Sequence, residues 1–242
     1  MFATIFICTL VTTLVTAEIP SYIHVCSRKD PNLDQCITDS INNLRSKLCE
    51  GISEMEVPSL NSFIINEIVI SDADNAKLYL KDLKIDGLCD YVIDSFHIDL
   101  DKLHFDAHVS FKQIKINATY DFDIHLLVPF VQKGPVYLTS DNIEGKIGVD
   151  LKVITKNDKK YIYISKINLN LDIKTLSNKF DTEGQNSSQL NEIISNFVGS
   201  NEEEFIKKVK PSLEEQVTKQ IIFLANNIVK HFTYDELFPE QV

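Results

Sequence analysis

The chain has 242 residues and a formal net charge of −11, with a pI near 5.0. That length holds one large domain or two small ones with a sizeable core. The acidic balance argues against nucleic acid or an anionic membrane surface as partners, because both want a basic stripe; 7 Gly, 7 Pro and no Trp exclude a low-complexity chain.

Residues 1–17 carry the marks of a secretory signal. Residues 2–15 are nearly all apolar or Thr, and Val15, Thr16 and Ala17 put small residues at a cleavage point. The run is short for a membrane span, and no later window reaches ~18 apolar residues. The expected product is a single secreted domain over residues 18–242, without stable membrane insertion. Cys26, Cys36, Cys49 and Cys89 remain in it, an even number suited to an oxidising compartment. Of three pairings, Cys26 with Cys36 is favoured, because its loop is short and holds Pro31. Cys49 with Cys89 then follows by elimination, the alternative being two free buried thiols.

Asp30 and Pro31 open a predicted helix, an acid that can cap and a proline at the first helical position. Leu33, Ile37, Ile41, Leu44 and Leu48 form one apolar stripe along it, and Gly51 ends it. Strands are predicted at 63–71 and 77–88, with a turn at 72–75. The change of register between Leu80 and Leu83 predicts a bulge.

The stretch 90–174 is dominated by alternation. Phe105, Ala107, Val109 and Phe111 alternate with His104, Asp106, His108 and Ser110; Ile114, Ile116, Ala118, Tyr120, Phe122, Ile124, Leu126 and Val128 follow with mostly polar partners. A period of two means strands with one dry face and one wet face. Strands are predicted near 91–101, 103–112, 113–129, 135–141, 143–155, 160–166 and 167–176. Gly134-Pro135 is a predicted breaker and residues 156–159 a polar hairpin turn. Sequons fall at Asn117, on the polar side of a strand, and Asn186, in a polar loop.

After a polar linker at 181–189, Leu190, Ile193, Ile194 and Phe197 predict a short helix stopped by Gly199. Asn201 caps the last helix, and Glu202, Glu203 and Glu204 suit its N-terminal dipole. It is expected to run to about Phe232, roughly 48 Å, with a bend at Pro211. Phe205, Val209, Leu213, Val217, Ile221, Leu224, Ile228 and Phe232 are mostly four apart, so their line rotates by about 180° along the helix. Its C-terminal half is apolar on most sides. A helix on a flat sheet keeps one stripe; this one looks wrapped by a curved sheet. The one-sided sheet exceeds what one helix can cover, which leaves room for a lipid-like guest.

Several of these residues together bear a resemblance. Residues 26–36 and 51–60, then Gly87-Leu88, Asp99 to Lys102 and the ending Tyr234 to Glu240, look like the signatures of the insect takeout and juvenile hormone-binding protein family, in order and at compatible spacing. The resemblance implies an α+β fold of the tubular lipid-binding kind. There a highly curved antiparallel sheet wraps a long C-terminal helix around an internal hydrophobic tunnel, with a short N-terminal helix. It implies a secreted carrier of juvenile hormone-like terpenoids, fatty acids or related lipids, in haemolymph or sensory tissue, and it places the family's N-terminal cysteine pair on Cys26 and Cys36. Cys49, Cys89 and Ser62 depart from the common pattern.

The aromatic residues Phe96, Phe105, Phe111, Tyr120, Phe122, Phe130 and Phe223 are candidates to line the tunnel, with Leu44, Leu48, Val109, Ile124, Leu126, Ile147, Val149, Leu151, Phe197, Val209 and Leu213 beside them. Ordinary core packing is the bland reading of each. Tyr120 is a candidate polar anchor, an apolar ring with a hydroxyl able to bond an ester or epoxide oxygen. His104, Asp106 and His108 share a strand face and could hold a metal; a solvated polar face is the simpler reading. Lys207, Lys208 and Lys210 are read as a solvated face offsetting the three glutamates. No nucleophile elbow, phosphate loop or zinc signature is present, so no enzyme, cofactor or metal is expected. The leading expectation is a monomeric carrier of a small hydrophobic ligand. The alternative is an extracellular signalling protein with a side-chain-filled core, and a hydrolase of such ligands is a weaker third.

Overall fold

The computed structural model describes residues 19–125, 129–181 and 202–241, with Ser188 and Glu192. The expected leader, Leu126, Val128, the sequon at Asn186, the short helix with Phe197 and the cap at Asn201 lie outside these residues. The first apolar stripe forms α1 (Leu33–Asn43) and α2 (Arg45–Glu50). Their interruption at Leu44 is slight, since Leu44 N still donates to Ser40 O and Leu48 N to Leu44 O, at 3.1 and 2.9 Å. Gly51, at φ 92°, ends the stretch. Both expected disulfides are formed: Cys26–Cys36 ties the incoming segment to α1, and Cys49–Cys89 ties α2 to the turn before the third strand.

Seven strands make one antiparallel sheet: β1 (Phe63–Ala73), β2 (Ala76–Asp86), β3 (Tyr91–Asp99), β4 (His104–His125), β5 (Pro129–Lys156), β6 (Lys159–Asp172) and β7 (Ser177–Phe180). The order is β1-β2-β4-β5-β6, with β3 on β4 and β7 on β5. The predicted bulge is present, with the β2–β4 register shifting between Lys81 and Lys84 and Asp82 at φ 53°. The expected breaks at 112/113, at Gly134-Pro135, near 142 and at 166/167 are absent, because β4, β5 and β6 run through them. Pro135 stays within β5, opposite Thr119. Its carbonyl accepts from Asp181 N, so its missing N–H points to the side where β7 has ended and no rung to β4 is lost. Gly134 is needed there, because a Cβ would lie 2.7 Å from the Tyr120 hydroxyl and 2.9 Å from its ring.

Both long strands also change the face they turn inward, at one rung. Phe105, Val109 and Phe111 face in opposite Val149, Gly145 and Ile143; beyond Lys112 and Asn142 the inner residues are Ile114, Ile116 and Ala118 opposite Ser140, Leu138 and Val136. Asn142 sits at φ 54° there. Asn157 and Asp158, at φ 51° and 60°, form the expected hairpin turn between β5 and β6.

The last helix, α3, spans Glu202–Val229, about 42 Å. It ends before Phe232 and holds Pro211 within it. It closes the curl as a stave closes a cask. Ser212 Oγ accepts from Val69 N on the β1 edge; on the β6 edge Glu214 accepts from Leu171 N, and Asn226 both accepts from Ile164 N and donates to Ile164 O. A final turn, α4 (Tyr234–Leu237), carries a capping box between Thr233 and Glu236.

The apolar residues of α3 serve three clusters. Phe205, Val209, Leu213 and Val217 pack with β1, β2, β4 and β5. Ile221, Ile222, Ala225 and Val229 pack on β5 and β6. Ile228, with Phe232 just beyond the helix, meets Ile52, Met55 and Val57 from the N-terminal segment. The helix is therefore apolar on most sides near its end because sheet and N-terminal segment cover opposite flanks.

Candidate ligand-binding interior

The inner face of the curl is mostly apolar, with Ser140 and Gln132 as polar exceptions, yet its packing is divided. Toward the β1–β2 end, Tyr120, Phe122, Ile124 and Val209 are buried in the first cluster, and Phe111, Phe130 and Leu213 pack against it. Toward the β5–β6 end, Val149 and Leu151 are buried in the second cluster, with Phe105 and Ile147 against it. Between them on β3 and β4 lie Phe96, Ala107 and Val109, inward by register, half-buried and outside both clusters. The Phe96 ring leans on Phe105 at 5.3 Å.

The other expected lining residues are placed elsewhere. Leu48 packs with Phe232 in the third cluster, and Leu44 is half-buried at the α1–α2 junction. Phe223 corrects the expectation: it is 54 % exposed, because the residues flanking it turn toward different clusters and leave its own direction to solvent.

Tyr120 is fully buried, and its hydroxyl already donates to Asp181 O at 3.2 Å. Burial, then the nearby Asp181 charge, raises its pKa. At the next inward position along β5 from Phe130, between it and Gly134, lies a residue the sequence reading passed over. Gln132 pairs with Phe122, and its side-chain oxygen is shut from solvent without a hydrogen-bond donor among the described residues. A lone amide in an apolar alternation was the available signal.

The polar residues lie on the opposite face. His104 Nδ1 meets Asp150 at 2.7 Å and its Nε2 meets Asp106 at 3.4 Å, while His108 lies 3.3 Å from Glu144. The Asp150 hydrogen bond leads the effects that raise the His104 pKa. His104, Asp106, His108 and Lys146 line a groove of about 610 Å³ whose walls also include Phe96, Ala107 and Ile147. Among the described residues the trio of metal-ligand type that comes together is His24, Cys26 and Cys36, and both sulfurs are bonded to each other. At the free edge of β3, Asp34 of α1 accepts from Ile98 N and meets His97 Nδ1, each at 2.9 Å. Tyr91 donates to Ile41 O. These contacts dock α1 beside the region where the inner face is half-buried.

The chain matches the profile of a family described as haemolymph juvenile hormone binding protein over residues 4–239. The chain belongs to that family. Takeout 1 of Epiphyas postvittana superposes with a TM-score of 0.68 at 17 % identity, over 85 % of this chain and 96 % of that one. This likeness shows the fold: the curled sheet against a long C-terminal helix. A lipopolysaccharide binding protein aligns at 14 % identity and a TM-score of 0.35, over 80 % of this chain and 40 % of the other. Latherin aligns at 13 % and 0.19, over 78 % and 76 %. No curated protein sequence matches the chain. The family is one of binding proteins rather than enzymes, and no described helix is long and apolar enough to cross a membrane.

Proposed function

We propose that this protein is an extracellular carrier of one small hydrophobic molecule, a juvenile hormone-like terpenoid, a fatty acid or a related lipid, held inside the curl. The supporting observation is the divided core: Phe96, Ala107 and Val109 face inward on a continuous sheet without joining either cluster. Burial drives binding at ~0.8 kcal/mol per methylene, offset by association costs. Gln132 is the proposed polar contact, since its shielded oxygen lacks a donor and a ligand hydroxyl or protonated carboxyl would supply one. Tyr120 would contribute its ring, its hydroxyl being engaged. Export fits the family and the two disulfides. Residues 1–17 as a leader, a glycan at exposed Asn117 and a monomeric state belong to the same reading.

The test is displacement of a fluorescent fatty-acid probe by a panel of terpenoids and fatty acids. Saturable displacement is expected, with Val109→Trp weakening it about tenfold or more by filling the space while leaving the unfolding midpoint nearly unchanged. No displacement by any of the panel would return the protein to the signalling alternative.

A further inference from the structure

We propose that the β5–β6 hairpin is a docking surface for bilayers that contain anionic phospholipid. Whole-chain charge hides this face. Residues 152–166 hold five lysines against one aspartate, a local charge of +4 on a chain of −11. Lys152, Lys156, Lys159, Lys160 and Lys166 are all exposed. Among the described residues none of the five is in ion-pair range of a carboxylate, whereas Lys81, Lys102 and Lys174 are paired. The charge is therefore open to an outside partner.

The register shows what accompanies it. Lys152 pairs with Tyr163, Ile154 with Tyr161 and Lys156 with Lys159. These six share the outer face, because Leu151, Ile162 and Ile164 on alternate positions belong to the core. Ile154 is 49 % exposed. An acidic macromolecule needs only the lysines. A bilayer uses the whole ladder: lysines at the phosphates, tyrosines at the headgroup level, an aliphatic chain at the acyl boundary. The turn at Asn157 and Asp158 fixes the hairpin beforehand, so docking requires little ordering. The acidic remainder repels the same membrane, so contact is reversible and salt-sensitive. The inference rests on the hairpin alone and stands or falls separately from the cargo.

The experiment is co-sedimentation with vesicles of phosphatidylcholine, alone or mixed with phosphatidylserine. Expected are at least about fivefold greater binding to the mixed vesicles and its loss in about 1 M salt, where the screening length is about 3 Å. The triple variant K152E/K156E/K159E loses it, and Lys112→Glu, elsewhere on the sheet, keeps it. The chain has no Trp, so Ile154→Trp introduces a single reporter whose emission shifts blue with mixed vesicles and not with phosphatidylcholine. Circular dichroism and thermal unfolding confirm that each variant is folded. No preference for phosphatidylserine, or binding that survives the triple variant, overturns the proposal. Charge-dependent binding without a blue shift also overturns it and assigns the lysines to an acidic macromolecule.

Discussion

Gly134 exists for the sake of Tyr120. The Tyr120 ring occupies the space of the missing Cβ and is held from other sides by Phe122 and Phe180, at 5.1 and 5.4 Å. Gly134→Ala is expected to cost about 1–3 kcal/mol by overpacking, read from urea unfolding, with a smaller cost in a Tyr120→Leu background. The expected break at Gly134-Pro135 was a misreading with a physical cause: sequence displays which residues lack a donor or a Cβ, not which neighbour makes that lack harmless. His97 and Asp34 give a second test. The Asp34 hydrogen bond, then its charge, raises the His97 pKa above 6.5. Asp34 is pushed up by burial, yet its bonds with His97 and Ile98 bring it below 3.8. A raised histidine contributes fully below its unfolded value and loses that as pH rises through its folded value; a lowered acid contributes above its unfolded value and loses that as pH falls through its folded value. The α1–β3 contact is therefore tightest between the two titrations. An NMR titration should place His97 above 6.5, and Asp34→Asn should return it toward that value.

Among the elements, the long helix has the most unusual duty, since its side chains finish hydrogen bonds that strands left open on both margins. Asn226 serves both backbone groups of Ile164. Asn226→Leu is expected to cost about 1–3 kcal/mol through unmet backbone groups and to speed amide exchange at Ile164 above that at Ile162. This duty was only half legible. The steps of four in α3 revealed a line rotating about the rod and hence curved surroundings. They gave no hint that the N-terminal segment, with Ile52, Met55 and Val57, covers one flank, nor that Phe223 escapes all three clusters. Such facts depend on what arrives from far along the chain. Local alternation was more informative: the bulge near Asp82 stood in it as a break in a period of two, the hairpin at residues 156–159 in its polar run, while the phase change after Phe111 was visible but read as a boundary between two strands.

For the whole molecule, the disulfides anchor the N-terminal helical segment, which lies outside the sheet. Cys49–Cys89 spans 40 residues and Cys26–Cys36 spans 10. On chain entropy the first contributes about 4 kcal/mol and the second about 3 kcal/mol. Cys49→Ser in a Cys89→Ser background should therefore lower stability more than the paired serine variant at 26 and 36, as compared by calorimetry. The curl, the long helix and the family could be anticipated from the sequence, through periodicity and the family signatures. The division of the interior could not, because alternation marks a face as apolar without saying how closely it is covered.

The closing stave follows all seven strands in the chain, and synthesis makes the strands first. Until residues 202–229 emerge from the ribosome, the nascent sheet has two raw margins and an uncovered greasy hollow, the state most prone to wrong pairing between neighbours. Residues 202–229 are thus expected to decide whether the preceding sheet remains soluble. A stop codon before Glu202 should yield insoluble protein, and supplying residues 202–242 as a separate peptide during refolding should rescue part of it.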